Sequence, residues 1–317
     1  MPYLYNPPEG YISTANNRTI GNKFPYYISG LWADPSRASR IKEVLDEDKK
    51  VSLEDMKALQ LDLTSNYSKE ILPYILKNAG AFENPIFNRA IKFLKDWNSI
   101  ESIDSEGTLI FHSISNQIIR NVYYDELSVL GDKYFETFIG LKYITKRNLR
   151  NILRNNTNKW VDDIRTPNKI ETIDEIITKS IESGIQKVVD TYGPNWSNWK
   201  WGSAHSLTHK HILGDVKILN YLFNLNIGPY LSGGSDVTPN AGGYSLLKGF
   251  NQTSGASMRR IVDFSDLNKT NMILPTGQSG LHNSPHYSDQ APLYHEGKYR
   301  VTYFDKDYIV SSPDFKH

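Results

Sequence analysis

The strongest constraint on the fold is a run of apolar residues at helical spacing between residues 36 and 193. In its clearest stripe, Phe111, Ile114, Ile118 and Val122 recur every three or four residues, which places all four on one face of a helix. Similar stripes recur along the run. Residues 36–193 are therefore predicted to form a helical domain that is separable from the segments on either side.

Local start and stop signals divide this run into separate helices. A serine or threonine followed three residues later by an acidic residue is typical of a capping box, and glycine is typical of a helix end. The signals are Ser36 as the cap of a first helix, Ser52 with Asp55, Thr172 with Glu175, and Gly193.

Segments of β-type composition flank the helical run. Residues 10–17 change from β-branched and aromatic residues to turn formers, which is typical of a short strand that enters a turn. Because a lone strand is unstable, we expect residues 10–16 to pair with strands after residue 241. Later in the chain, strands are predicted at 244–247, 260–264, 272–274 and 299–304, with one more helix at 209–225.

The order of these segments predicts an α+β fold in which a helical domain interrupts one sheet system. The predicted boundaries are residues 1–35, 36–193 and 194–317. No internal repeat or low-complexity tract suggests another architecture.

Charge and composition exclude several classes of partner. The net charge is +1, from 36 basic and 35 acidic residues, so no overall field favours nucleic acid or an anionic membrane surface. The chain has no cysteine, which excludes disulfides, thiolate metal sites and cysteine nucleophiles. No apolar run approaches the length of a membrane span, and the first residues lack the pattern of a signal peptide. The early turn at residues 6–10 indicates a segment that continues from something upstream.

Common catalytic motifs are absent, and the histidines could be either metal ligands or structural residues. The chain has no Walker loop, dinucleotide fingerprint, nucleophile elbow or zinc-protease motif. Two histidine groups could hold a metal, but structural histidines are the favoured interpretation because the ligand spacing is poor. The groups are His205, His209 and His211, and His282 and His286 with Asp289.

Three tryptophans form another candidate. Trp196, Trp199 and Trp201 could stack on a sugar or an acyl group, although such a cluster is more often part of a core.

Four blocks of the chain, in order and spacing, resemble the penicillin amidase family, and together they span nearly the whole sequence. The last block is the most specific. The blocks are residues 10–17; Trp32 with Arg37 and Ile41; residues 201–205; and residues 255–263 leading to 275–280 and 284–290.

The resemblance implies an N-terminal nucleophile hydrolase with an αββα core. In this family a precursor cleaves itself and exposes a serine, which attacks an amide carbonyl while its own α-amine acts as base. The oxyanion is held by a backbone N–H and an asparagine amide, and Asn16 matches this asparagine. Arg37, five residues after Trp32, matches the arginine that orients it.

Two departures from the family pattern qualify these expectations. No Ser-Asn start of the family type is present, because the serines that precede an asparagine, such as Ser65 and Ser197, lie in the downstream region. Calcium binding, known in the family, is doubtful, because the proline matching Pro25 precedes an aspartate ligand there and Tyr26 here. No cofactor is therefore predicted.

The sequence thus predicts the C-terminal β-subunit portion of an amide-bond hydrolase that cleaves N-acyl amides such as penicillin-type side chains. Its expected partners are an upstream half that carries the N-terminal serine and a small N-acyl amide substrate, and the chain alone is expected to be inactive. A non-catalytic binding module and a metal-dependent hydrolase are the alternatives. The resemblance implies an extracellular or periplasmic location, which the sequence itself does not determine.

Overall fold

The computed structural model describes residues 2–47, 50–155 and 159–312. Its helices are α1 (Ser36–Leu45), α2 (Leu53–Gln60), α3 (Asn66–Lys77), α4 (Pro85–Asp96), α5 (Glu106–Val129), α6 (Asp132–Gly140), α7 (Lys142–Asn155), α8 (Ile173–Tyr192), α9 (Trp201–Ala204), α10 (Lys217–Phe223), α11 (Ala291–His295) and α12 (Lys306–Ser311). Its strands are β1 (Ser206–His209), β2 (Ile227–Leu231), β3 (Gly242–Ser245), β4 (Gly249–Gly255), β5 (Arg259–Ile261), β6 (Thr270–Ile273) and β7 (Arg300–Thr302). The fold class is α+β, as predicted.

Helix α5 is the centre of the helical region. It is 24 residues long and starts at Ser105, whose side chain accepts a hydrogen bond from the backbone N–H of Thr108. The predicted stripe from Phe111 to Val122 is helical and fully buried. Other helices pack around α5, chiefly α8, α4 and α6. Because it is surrounded in this way, α5 buries polar residues such as His112 and Ser113 as well as its apolar stripe.

The predicted capping signals are confirmed at three of four places. Both capping boxes form, at the starts of α2 and α8, and Gly193 ends α8 with a φ of 80°. The prediction for Ser36 is wrong: Pro35 occupies the N-cap position of α1, and the Ser36 side chain donates to Asp34 instead. A serine that bonds a neighbouring carboxylate is not available to cap the helix.

Two small sheets follow the helices. In the first, with strand order β2-β1-β4-β3, β1 runs antiparallel to β2 and parallel to β4, so that Leu207 lies opposite both Tyr230 and Gln252. In the second, β6 lies between β5 and β7, and both pairings are antiparallel. The four strands predicted after residue 240 overlap β3, β5, β6 and β7, whereas β1, β2 and β4 were not predicted.

Two predicted elements are corrected by the structure. The helix predicted at 209–225 is reduced to α10, and Ile212, Ile218 and Tyr221, which lie in the predicted range, are exposed. Residues 10–17 form no strand among the described residues, so their predicted pairing with strands after residue 241 is also wrong. The chain bends at residues 15–17, around the left-handed backbone of Asn16.

One apolar core joins the helical region to the C-terminal region. Trp199, Trp201 and Tyr244 are buried in the same cluster as Phe111 and Ile114. Packing is thus continuous across residue 193, and the three-domain division remains a prediction. Within the described ranges, no helix is long and apolar enough to cross a bilayer.

The closest approach of α5 and α8 depends on Gly184. A Cβ at this position would lie 2.8 Å from the Cα of Ile114, and the Gly184 carbonyl accepts a hydrogen bond from Ser113 Oγ at 2.8 Å. A methyl group there would press mainly on the Ile114 backbone, because Cα and N of Ile114 would lie 2.8 and 3.0 Å away, with Cγ1 at 2.9 Å.

We predict that Gly184→Ala lowers the free energy of unfolding by about 1–3 kcal/mol, measured by urea denaturation, because it overpacks this crossing. Gly140→Ala is the matched control, since a Cβ there meets no atom within 4 Å. It should be neutral or slightly stabilising, because alanine favours helix over glycine. Equal losses in the two variants would contradict the tight crossing.

Candidate functional site

Asn16 lies in a turn and has a left-handed backbone, with a φ of 61°. Asparagine adopts this conformation more readily than most residues. Its carbonyl accepts a hydrogen bond from the N–H of Ala33 at 2.8 Å, which closes residues 16–33 into a loop. The turn itself is bridged by the next residue, because Asn17 Oδ1 accepts from the N–H of Ala15 at 3.0 Å. The Asn16 side chain is exposed.

Arg37, in the first turn of α1, holds the Asn16 side chain. Its Nη2 donates to Asn16 Oδ1 at 2.8 Å and to the carbonyl of Ala15 at 2.9 Å. Since a guanidinium only donates, the amide oxygen must face Arg37, and the amide nitrogen Nδ2 points elsewhere. In residues 2–47, 50–155 and 159–312, no partner is found for this nitrogen. Its two hydrogens are thus free to donate to an external oxygen.

The segment that carries Arg37 is anchored through two buried neighbours, Asp34 and Ser36. Asp34 Oδ1 accepts from the Ser36 backbone N–H at 2.9 Å and from the Ser36 hydroxyl. From α7, Arg150 Nη2 donates to Ser36 Oγ at 2.5 Å, and its Nε lies 3.2 Å from Asp34 Oδ2. The start of α1 is therefore fixed to α7, one residue away from Arg37.

Arg150 also binds the helical region. Its Nη1 lies 3.1 Å from Glu70 Oε2 in α3, and Glu70 Oε1 pairs with Arg154 Nη2 at 2.7 Å. The Arg150 guanidinium lies 5.3 Å from the ring centre of Tyr67, and burial raises the pKa of this phenol. A charge that is only 8% exposed is thereby paired on several sides, as a buried charge must be.

One turn before Arg150, Lys146 forms a second buried ion pair, with Asp236 of the C-terminal region. Burial alone would raise the pKa of Asp236, but Lys146 and Lys142 lower it below its ordinary value. Lys146 also lies 5.5 Å from the ring centre of Tyr244. Helix α7 therefore binds the loop that carries Asn16 with one charge and the C-terminal region with another.

A third polar group surrounds His112 in the core. Its Nε2 lies 3.2 Å from Glu101 Oε1, its Nδ1 lies 3.0 Å from the Tyr244 hydroxyl, and its ring stacks on Trp201 at 4.7 Å. Burial would raise the pKa of Glu101, but attraction to His112 and hydrogen bonds from serines lower it below its usual value. All four side chains are buried, so this group cannot meet a substrate without unfolding.

The first histidine group does not converge on a metal site. His205 is buried, stacks on Trp201 at 4.6 Å and shares a hydrogen bond with the Phe250 carbonyl, and burial lowers its pKa to about 4. His209 lies with its Nε2 3.1 Å from that of His295, while His211 Nδ1 accepts from the N–H of Leu213.

The side chains of the second histidine group also have separate partners and do not meet at one point. Asp289 Oδ2 lies 3.2 Å from His286 Nδ1 and 3.1 Å from Arg300 Nη1, while His282 packs against Phe223. Over the part of the chain that the structure describes, no three histidine, aspartate or glutamate side chains are placed to hold one metal ion. Tyr26, Tyr27 and Ile28, which follow Pro25, also offer no carboxylate, and the absence of a calcium ion here stays a prediction.

The tryptophan cluster is mainly core. Trp199 and Trp201 are fully buried, and their indole nitrogens donate to the carbonyls of Gly193 and Gly234. Only Trp196 is exposed, at 44%. The three side chains therefore do not form one platform for a ligand.

The sequence did not reveal the charges that support the site. In α7, Lys146 and Arg150 lie on the same buried face as Leu149 and Leu153. Cations within an apolar helical stripe are a signal that buried carboxylates face them, but the stripe does not say which ones. The partners of Arg150 and Lys146 are Asp34 and Asp236, which lie 116 and 90 residues away along the chain, and only the fold brings each pair together.

Comparison with known proteins places the chain in a sequence family. The penicillin amidase family matches residues 1–310. The acyl-homoserine lactone acylase QuiP of Pseudomonas aeruginosa is 25% identical over 332 aligned residues, which cover 94% of this chain and 38% of QuiP. The penicillin acylase 2 proenzyme of a Pseudomonas species is 23% identical, over 92% of this chain and 36% of the proenzyme. The chain thus spans less than half the length of these relatives.

A solved structure has the same fold. The thermostable penicillin G acylase from Alcaligenes faecalis superposes with a TM-score of 0.57 and 13% identity, over 97% of this chain and 56% of that one. At this identity the likeness concerns the fold alone.

We predict that Arg150→Met lowers the free energy of unfolding by about 3 kcal/mol in urea denaturation, because it leaves the Asp34 carboxylate buried without its cation. Arg154→Met is the control. Arg154 is 57% exposed and pairs, among the residues that the structure describes, with Glu70 alone, so its loss should lower the free energy of unfolding by less than about 1 kcal/mol. Similar losses from the two variants would show that Arg150 is not the anchor.

Proposed function

Because the chain belongs to the penicillin amidase family, we propose that it supplies the oxyanion-binding part of an acylase that hydrolyses N-acyl amides. The nucleophile is the N-terminal serine of a partner segment, which corresponds to the part of the relatives that this chain does not match. The assembled protein has the αββα core of N-terminal nucleophile hydrolases. The chain by itself does not turn over substrate.

The observation that carries the proposal is the fixed orientation of the Asn16 amide. Its oxygen is bound by Arg37 at 2.8 Å, and its nitrogen is free to donate. An oxyanion donor acts by being held in place before charge develops, since it then needs no reorganisation during the reaction. The exposed Asn16 amide meets this requirement, because Arg37 binds it and the buried residues Asp34 and Ser36 anchor the segment that carries Arg37.

In the proposed reaction the serine hydroxyl attacks the amide carbonyl while the serine α-amine accepts its proton. The carbonyl π bond breaks, and the oxygen gains a negative charge that Asn16 Nδ2 stabilises with a backbone N–H. Collapse of this intermediate breaks the C–N bond, and the amine leaves with the proton. Water then attacks the acyl-enzyme by the same steps and releases the carboxylic acid. These steps involve no metal or cofactor.

Co-expression of the chain with a segment that begins with the family serine tests this proposal directly. The assembled protein should hydrolyse a chromogenic phenylacetyl amide, whereas the chain alone and an assembly with Ser→Ala at the new N-terminus should not. An assembled, folded complex without activity on any N-acyl amide would contradict the proposal.

We predict that Asn16→Ala in the assembled enzyme lowers kcat by roughly 10² to 10³, with little change in KM, because the amide contacts charge that exists mainly in the transition state. The matched control is Asn224→Ala, which removes another exposed asparagine of left-handed conformation, with a φ of 47°. Both variants should lose similar stability, but Asn224→Ala should keep its kcat. If the Asn16→Ala enzyme keeps the kcat of the unmodified enzyme, Asn16 is only a turn former and does not bind the oxyanion.

Arg37→Ala should lower kcat less than Asn16→Ala, because Arg37 acts by orienting Asn16. The two effects should be clearly less than additive in the double variant, since they remove one and the same interaction with the oxyanion. Steady-state kinetics on all four forms of the enzyme measure this coupling. Fully additive losses would mean that Arg37 acts on the substrate independently of Asn16.

A further inference from the structure

We propose that His209 and His295 form an acid-sensitive latch, a hydrogen-bonded pair that holds α11 against strand β1 and releases it when both rings are protonated. The latch lies in the C-terminal region of the chain, away from the loop that carries Asn16. It therefore stands independently of the proposed catalytic function.

The two rings of the latch face each other end to end. Nε2 of His209 lies 3.1 Å from Nε2 of His295, and the ring centres lie 5.4 Å apart. The difference between these distances matches the distance from ring centre to nitrogen, counted once for each ring. Both nitrogens therefore lie close to the line that joins the two centres. The N–H of one ring points at the lone pair of the other, which is the geometry of a hydrogen bond.

A shared metal ion does not explain this arrangement. Two imidazoles that bind one ion direct both lone pairs at a third point, so the rings meet at an angle and their centres come closer together. The rings of His209 and His295 instead oppose each other along one line. A proton bridges this pair.

The bridge tolerates one added proton but not two. In the neutral pair one Nε2 carries a hydrogen and donates it, while the other Nε2 accepts, so the two rings are opposite tautomers. A first added proton enters at an Nδ1 and leaves the bridging hydrogen in place. After a second one, both Nε2 atoms carry a hydrogen, and two positive charges face each other across 3.1 Å without an acceptor.

The surroundings of the pair oppose this second charge. Most of the charged side chains that line the cavities beside it are cations, namely Lys210, Lys248 and Arg259. Among the described lining residues, Glu296 is the only carboxylate, and its Oε2 lies 2.6 Å from Lys298 Nζ. The lining residues that come from the helical region are uncharged. The phenols of Tyr230 and Tyr294 are neutral in acid, so they cannot balance the charge.

The pKa values of both imidazoles are lowered accordingly. Burial lowers the pKa of His209, and burial, followed by His209 and Arg259, lowers the pKa of His295 to about 4. Once the contact opens, both histidines return to an ordinary pKa of about 6.5. The open form therefore binds more protons than the closed form as the pH falls below about 6.5, so the closed contact is favoured at neutral pH and lost in acid.

Release of the latch requires movement of α11. The ring of His295 stacks on Tyr230 of β2, with 4.0 Å between the ring centres and 11° between the planes, so rotation of the ring alone is hindered. The pair lies between two cavities of about 960 and 320 Å³. His209 lines the first, His295 lines the second, and Tyr294 lines both. Opening of the contact would therefore join the two cavities.

Hydrogen–deuterium exchange of the 317-residue chain tests the latch without any need for activity. Exchange is measured by mass spectrometry at about pH 7.5 and about pH 5, and each rate is divided by that of an unfolded peptide at the same pH, so that the chemical pH dependence cancels. Protection of Ala291–His295 should fall roughly 10- to 30-fold at the lower pH, because opening takes up at least one proton below the ordinary histidine pKa. Protection of α5 should remain, which would show that the opening is local.

His209→Gln and His295→Gln should each abolish this response, because a glutamine amide can pair with the remaining imidazole whether or not that imidazole is protonated. His282→Gln is the matched control, since it removes an exposed imidazole outside the pair and should respond like the unmodified chain. His205 also has a pKa lowered to about 4 by burial, so a fall that persists in His295→Gln would belong to His205 and would overturn the latch. Equal protection of α11 at both pH values in the unmodified chain would overturn it as well.

Nitrogen-15 spectra of the imidazoles test the bridge itself. At neutral pH, one ring of the pair should carry its hydrogen on Nε2 and the other on Nδ1, because a single hydrogen must lie between the two Nε2 atoms. Comparison with His209→Gln and His295→Gln assigns the signals of the two rings. Two rings of the same tautomer would contradict the proposal.

Discussion

The buried guanidinium of Arg150 is the interaction on which the arrangement of the site depends. Removing a charge from water is unfavourable unless carboxylates and hydrogen-bond acceptors surround it. Arg150 meets this condition only when Asp34, Ser36 and Glu70 are all in place. The charge therefore specifies one position for the start of α1, and the loop before it becomes attached to the helical core.

The same helix fixes the other side of the molecule. Lys146 lies one turn from Arg150 and pairs with Asp236, so two cations of α7 bind segments from opposite ends of the chain. This arrangement also fixes Asn16, although Asn16 contacts neither cation. It is exposed, yet Arg37 binds its side chain, and Arg37 directly follows the serine that Arg150 holds. Rigidity is thus transmitted from the core to a side chain that must face a substrate.

Local information in the sequence predicted the helices better than the sheets. The capping boxes of α2 and α8 and the stripe of α5 are each contained within one segment, so neighbouring residues define them. Strand pairing depends on distant partners, and β1, β2 and β4 were missed while residues 10–17 were wrongly assigned as a strand. The contact between Asn16 and Arg37 could be anticipated only from the family resemblance. Their catalytic roles stay predictions.

Exposure, rather than chemical type, distinguishes the candidate site from the core. Glu101, His112 and Tyr244 have the residue types and distances of a catalytic relay, but every member is buried. Their polar atoms contact one another and do not reach the surface. Asn16 has a less reactive side chain, yet it presents a fixed donor that no described residue uses. A catalytic site needs an exposed group with a free hydrogen-bond donor of this kind. A group whose donors are all bonded within the fold cannot stabilise a transition state.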